Sequence, residues 1–168
     1  MTRLLTLVRH GKSSWKHEGL EDDERPLNQR GRKDVPAMAL HFVAKGHRPD
    51  YLLSSYATRA LTTARLFAKQ LHYPIERIRL TESIYECSLD DLYQVTGKLN
   101  DQHWHACLFG HNPGFTSFAN DLCVAEIENV PTSGIVHMQL NVDSWQQIKP
   151  GCAELLSFDF PKKLGQEE

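Results

Sequence analysis

Short apolar runs alternate with amphipathic stretches along this chain, and that alternation constrains the fold more than any other feature. Leu4, Leu5, Leu7 and Val8 form the first run, and Tyr51 to Leu53, Ile78 to Leu80 and Ala106 to Phe109 form later ones. Between the second and third, Ala60, Leu61, Ala64, Leu66, Phe67, Ala68 and Leu71 recur at helical spacing, so Thr58 to Leu71 reads as a helix that Pro74 stops. Buried strands separated by amphipathic helices pack as an α/β fold around a mostly parallel sheet.

The remaining elements follow from caps and breakers. The first strand covers Arg3 to Arg9. A helix then runs to Lys45 with Gly46 as its stop, starting either at an Asn28 cap or at Asp34; Pro36 marks the first turn of the shorter version or kinks the longer one. Ser88 caps a helix through Leu99, with Asp90 and Asp91 in its favourable first turn. A helix carrying Phe115, Phe118, Ala119 and Leu122 follows the fourth strand. Ile135 to Leu140 and Leu155 to Phe158 are expected strands, and Trp145 to Ile148 is a candidate third. One domain over residues 1–160 and a frayed tail over 161–168 complete the expectation.

Composition removes several classes of function. The net charge of −2 gives no argument for a nucleic-acid surface. Cys87, Cys107, Cys123 and Cys152 lack C-x-x-C spacing and read as reduced thiols, which places the expected compartment in the cytoplasm. The apolar start is far too short for a membrane span.

The chemistry concentrates where strands end. Arg9-His10-Gly11 closes the first strand, Arg59 opens the helix after the second, and His111 follows the fourth. In a parallel sheet all four charged or titratable side chains project over one C-terminal edge, where ligands bind. Two guanidiniums, two imidazoles and nearby helix N-termini make an anion pocket that suits phosphoryl oxygens.

At these residues the chain resembles a known family. Leu7-Val8-Arg9-His10-Gly11-Lys12-Ser13, the segment Ser54 to Ala64 around Arg59, and Phe109-Gly110-His111-Asn112-Pro113-Gly114 resemble the signature segments of the histidine phosphatase superfamily. Arg25-Pro26-Leu27-Asn28-Gln29-Arg30-Gly31 and Pro131-Thr132-Ser133-Gly134 resemble its small SixA-type branch, the phosphohistidine phosphatases. The resemblance implies a phosphoglycerate-mutase-like, three-layer α/β/α sandwich. It also implies a phosphatase in which His10 attacks phosphorus and forms a phosphohistidine intermediate that water resolves. Arg9, Arg59 and His111 would hold the phosphoryl oxygens, with His111 at least partly protonated. No metal and no cofactor are implied. The expected partner is a phosphorylated protein, such as a phosphotransfer domain, or a small phosphorylated substrate.

Secondary candidates carry alternatives. In the wider superfamily an acidic residue protonates an oxygen leaving group; Glu82 is preferred here over Glu86, and a solvated loop carboxylate is the competing reading. Ser13 and Lys12 are candidates to add a hydroxyl or a cation to the phosphate. Arg25 lines the pocket mouth or pairs with Asp22 or Asp23. Ser133 and Gly134 offer backbone donors or form a plain turn, and Trp15 is a pocket wall or a core residue. Asn112 is expected to cap the following helix, with Pro113 in its first position. His17, His41, His47, His72, His103, His105 and His137 are read as non-catalytic. Phosphohistidine hydrolysis leads; hydrolysis of a small phosphomonoester and non-catalytic binding of a phosphorylated ligand are the alternatives.

Overall fold

The computed structural model describes residues 2–165. Six strands form one sheet: β1 (Arg3–Arg9), β2 (Tyr51–Ser55), β3 (Arg79–Thr81), β4 (His105–Gly110), β5 (Ile135–Leu140) and β6 (Ala153–Asp159). Their order is β3-β2-β4-β1-β5-β6. The first four run parallel, whereas β5 pairs antiparallel with both β1 and β6. Among the described residues four α-helices accompany the sheet: α1 (Gln29–Ala44), α2 (Thr58–Leu71), α3 (Leu89–Gly97) and α4 (Gly114–Cys123). This is the expected mostly parallel α/β sheet with an antiparallel extension.

Alternation along the buried strands splits the core in two. Leu5, Leu7, Ala106 and Leu108 face α3 and α4, where they meet Leu92, Phe115, Phe118 and Leu122. Val8, Cys107 and Phe109 face α1 and α2, where they meet Val35, Met38, Phe42 and Phe67. Successive side chains point to opposite faces, so a strand covered on both sides is mostly apolar, as β4 is after His105.

The order of connections places the functional edge. The chain leaves β1 by α1 and moves outward to β2, then by α2 to β3; it returns by α3 to β4 on the opposite face. Right-handed crossovers require that change of face when the direction reverses. Adjacent β1 and β4 therefore send their following segments to opposite sides and open a crevice at their C-terminal ends. Arg9 and Gly110 are the paired residues at that end, immediately before His10 and His111 are reached.

Several boundaries differ from expectation. Helix α1 is the longer version: Asn28 accepts from the Gly31 amide, Pro36 lies inside the helix, and Asp34 is a buried helical residue paired with Arg30 rather than a cap. Strand β3 sits one residue later than expected, and α3 ends at Gly97 instead of Leu99. Trp145–Gln147 is a 3-10 turn, not a strand. Ser144 caps it, and Trp145 is fully buried with its indole N–H donating to the His103 carbonyl. Pro161–Leu164, read as part of the tail, form a 3-10 turn with Pro161 buried; residues 166–168 lie outside the described residues.

Close backbone approach locks the first turn of α1 against the segment after β1. A Cβ at Gly31 would lie 2.3 Å from the Lys12 carbonyl oxygen, and one at Gly11 would lie 2.6 Å from Val35 and 3.4 Å from the Gly31 Cα. Lys12 in turn accepts the Asn28 amide through the same carbonyl. Glycine is required at both positions for space rather than for φ. Gly31→Ala is expected to cost about 2 kcal/mol of stability by overpacking, read as a lower urea midpoint at unchanged slope.

Candidate active site

His10 stands one residue beyond β1, 7 % exposed, and its Nδ1 lies 2.7 Å from the Gly11 carbonyl oxygen. A carbonyl can only accept, so Nδ1 carries the proton and Nε2 keeps its lone pair. Burial, with help from Arg59, Arg9 and Arg25, pushes the His10 pKa down to about 4, against the opposing effect of the Gly11 bond. The imidazole is therefore neutral at physiological pH. Its backbone is pinned as well, since the His10 amide donates to Gly110 and its carbonyl accepts from Ser133.

His111 reaches the same corner from the end of β4, with its ring centroid 5.1 Å from that of His10. Its Nε2 is 2.8 Å from Ser55 Oγ, which already accepts the Ala57 amide. The serine hydroxyl has no other acceptor, so it donates to Nε2 and leaves the His111 proton on Nδ1. Burial, then His10 and Arg59, push the His111 pKa down to about 3, with Asp22 opposing weakly. The protonated form expected from the sequence is thus disfavoured in the free protein. A bound phosphoryl dianion supplies the negative charge that would restore it.

Arg9 and Arg59 converge on the two imidazoles. Arg9 spends one terminal nitrogen on the Val130 carbonyl, and burial beside Arg59 lowers its pKa. Arg59 gives its terminal nitrogens to Asp22, at 2.7 Å to the carbonyl and 3.0 Å to the carboxylate. Among the described residues, four buried side-chain atoms lack a protein partner: Arg9 Nε, Arg59 Nε, His111 Nδ1 and Ser133 Oγ. Buried polar atoms are normally paired. All four belong to residues around this corner, and each can donate to an oxyanion.

The other sequence candidates separate clearly. Ser13 lines the basin, and its Oγ accepts from Arg25 at 2.8 Å. Arg25 fills both of its proposed roles, lining the basin and pairing with Asp22. Trp15 is a basin wall and not a core residue: it is 79 % exposed, with the Arg25 guanidinium 3.5 Å above its ring. Lys12 is exposed on the outer bank. Glu82 and Glu86 are exposed on the loop after β3 and do not line the basin. The Ser133 and Gly134 amides are committed to His10 and Pro131, which removes them as anion donors. Asn112 accepts from Thr116 in the first turn of α4 as a cap would, although Pro113 precedes the helix instead of opening it.

Three roles lie outside the sequence reading, which names Asp22 only as a candidate partner of Arg25 and Ser133 only for its backbone. Asp22 sits in a 3-10 turn inside an acidic run, bound by Arg59, Arg25 and the Tyr85 hydroxyl, which hold its pKa down at about 2. Tyr85 also packs edge-on against His111. Ser133 adopts a left-handed φ of 64° with its hydroxyl buried. Nothing local in the sequence marks Asp22 or Tyr85. A serine immediately before glycine at a strand entry was the available signal for Ser133.

A family model for the histidine phosphatase superfamily (branch 1) matches residues 5–115. The chain belongs to that superfamily. It is 29 % identical over 166 residues to an uncharacterized protein of Mycobacterium tuberculosis, covering 92 % of this chain and all of that one. An uncharacterized chloroplastic protein of Arabidopsis thaliana is 30 % identical over 156 residues, covering 88 % of this chain and 71 % of its own. Among solved structures, the protein histidine phosphatase SixA complexed with tungstate superposes with a TM-score of 0.81 at 20 % identity, over 96 % of this chain and 99 % of that one. A mycobacterial glucosyl-3-phosphoglycerate phosphatase superposes at 0.65 with 12 % identity, over 93 % and 98 %. The fold is therefore the phosphoglycerate-mutase-like one. Among the described residues no metal-ligating cluster and no helix long and apolar enough to cross a membrane is present.

Two measurements test this electrostatic picture. An NMR titration of the ring nitrogens should find His10 as the neutral Nδ1–H tautomer at pH 7, with protonation setting in only as the pH falls towards about 4. A midpoint near the ordinary 6.5 would contradict the geometry. Arg59→Ala should raise KM and lower kcat together, cutting kcat/KM by about 10²–10³.

Proposed function

We propose that this protein removes a phosphoryl group from phosphohistidine on a protein, through a covalent phosphohistidine at His10. The carrying observation is the His10 Nδ1–H bond to the Gly11 carbonyl, which leaves a neutral Nε2 facing two arginines. In the first step the Nε2 lone pair forms a bond to phosphorus as the bond to the substrate imidazole breaks, and that bonding pair leaves with the substrate nitrogen. The Gly11 carbonyl, accepting from Nδ1–H, stabilises the positive charge that develops on the His10 ring. Water then attacks phosphorus, the bond to Nε2 breaks with its electrons returning to His10, and inorganic phosphate leaves. Arg9, Arg59, His111 and the Ser133 hydroxyl stabilise the equatorial oxygens in both steps.

The absence of a carboxylate among the residues lining the basin supports phosphohistidine over a phosphate ester. An alkoxide leaving group needs a proton from a positioned acid. Asp22 is held ionised by its partners, and Glu82 and Glu86 lie outside the basin. An imidazole protonated at its remote nitrogen leaves as a neutral group and makes no such demand. An open basin of about 980 Å³ also admits a side chain still attached to a protein. Four free cysteines agree with a reducing compartment such as the cytoplasm.

Acid-quench trapping with a radiolabelled phosphohistidine protein tests the reading. Acid-labile, base-stable label should appear on the wild-type protein and be absent from His10→Ala. Equal phosphate release by both proteins would overturn covalent catalysis at His10. Turnover confined to small phosphomonoesters would instead assign the protein to that substrate class.

A further inference from the structure

The basin continues well beyond the phosphoryl corner, between the segment after β1 and the first turn of α1. Seven of the protein's nineteen lysines and arginines line it, and, among the described residues, none of its twenty-one acids does. In a chain of net charge −2 this is a segregated positive field. Its members are not equivalent. Arg9 and Arg59 serve the phosphoryl corner, Arg25 is tied to Asp22 and Ser13, Arg30 to Asp34, and Arg32 to the Leu27 carbonyl. Lys12 and Lys16 are exposed, and their ammonium groups have no partner among the described residues. Trp15 stands between them, mostly exposed and held in place by Arg25.

We propose that the Lys12–Lys16 bank is a second anion-binding subsite that receives an acidic polypeptide segment flanking the phosphorylated side chain. The proposal rests on the phosphatase reading and names its substrate class more narrowly. Removal of a phosphoryl group uses the buried corner alone and leaves this bank without a task. Lysine ammoniums are mobile point charges without the fixed fork that arginine offers a phosphate. They suit carboxylates at variable spacing along an extended chain, and the Trp15 ring supplies an apolar plate for the intervening backbone. The lack of acids along the bank means that no internal carboxylate competes, and like-charge repulsion would select against basic flanks.

The test compares two phosphohistidine peptides of equal length, one with Asp and Glu flanks and one with neutral flanks, using N-phosphoimidazole as a small control. The acidic peptide should show a kcat/KM about five- to tenfold higher at low salt, expressed in KM, with the preference fading at high salt. Lys12→Ala/Lys16→Ala should erase that preference while N-phosphoimidazole turnover stays at the wild-type level. Equal kcat/KM for the two peptides, or a preference the double variant keeps, overturns the subsite. Failure of the wild-type protein to turn over any phosphoramidate would sink the proposed reaction instead. The subsite is then read from anisotropy of the same labelled peptides bound to His10→Ala, where tighter binding of the acidic one upholds it and equal binding overturns it. Competition by a small bisphosphate that depends on Lys12 and Lys16, with both peptides indistinguishable, would assign the bank to a small polyanion and overturn the polypeptide reading.

Discussion

Holding Arg9 beside Arg59 in one buried corner is electrostatically unfavourable, and much of the surrounding site answers that repulsion. Burial, reinforced by the two cations, keeps His10 and His111 neutral when free, since each would otherwise add a further positive charge. Asp22 offsets part of the field by reaching Arg59 from an exposed turn, with Arg25 and Tyr85 fixing its position. What remains is a set of donors aimed at a point that suits a dianion. Under the proposed function, a phosphoryl group would relieve the repulsion on arrival and favour the His111 cation. His10 and His111 thus owe their neutral state first to burial and then to the neighbouring positive charge.

That corner exists because of where the sheet changes direction. Strands β1 and β4 are neighbours, yet their outgoing segments leave towards opposite faces. A crevice at their C-terminal ends follows, and His10 and His111 fall on its two sides. The glycine contact between Gly11 and Gly31 then brings α1 close enough for its first turn to form the outer bank of the basin. Histidines away from this edge have a different fate. His105 and His137 share Thr6 Oγ1 inside the α1 side of the sheet, where burial keeps them neutral and packed.

Much of the fold and the four central residues could be read from the chain because they rest on local signals. Helix α2 has regular apolar spacing, Asn28 and Ser88 are cap residues in use as caps, and Arg9, His10 and His111 sit at strand ends that glycine marks. The misreadings share a physical origin. Trp145-Gln146-Gln147-Ile148 lacks the alternation of a strand, and the placement of Trp145 is decided by its distant partners, the Asp101 carboxylate and the His103 carbonyl. Pro36 favours a helix start on local grounds, and the packing of Val35, Met38 and Ala39 retains it inside α1. Glu82 was chosen for its closeness in sequence to a strand end, yet its loop holds it exposed outside the basin, while Tyr85 three residues later turns inward to His111.

The sequence by itself determined the strand-and-helix alternation and the parallel core of the sheet, because periodicity and caps act over a few residues. It also put Arg9, His10, Arg59 and His111 at strand ends, while the roles proposed for them come from the family resemblance. Tertiary structure alone decided which carboxylate answers Arg59, which hydroxyl is buried without a partner, and which lysines share a basin with the phosphoryl corner. Those relations join residues up to about a hundred positions apart, and charge and hydrogen bonding depend on distance in space, which no local pattern records.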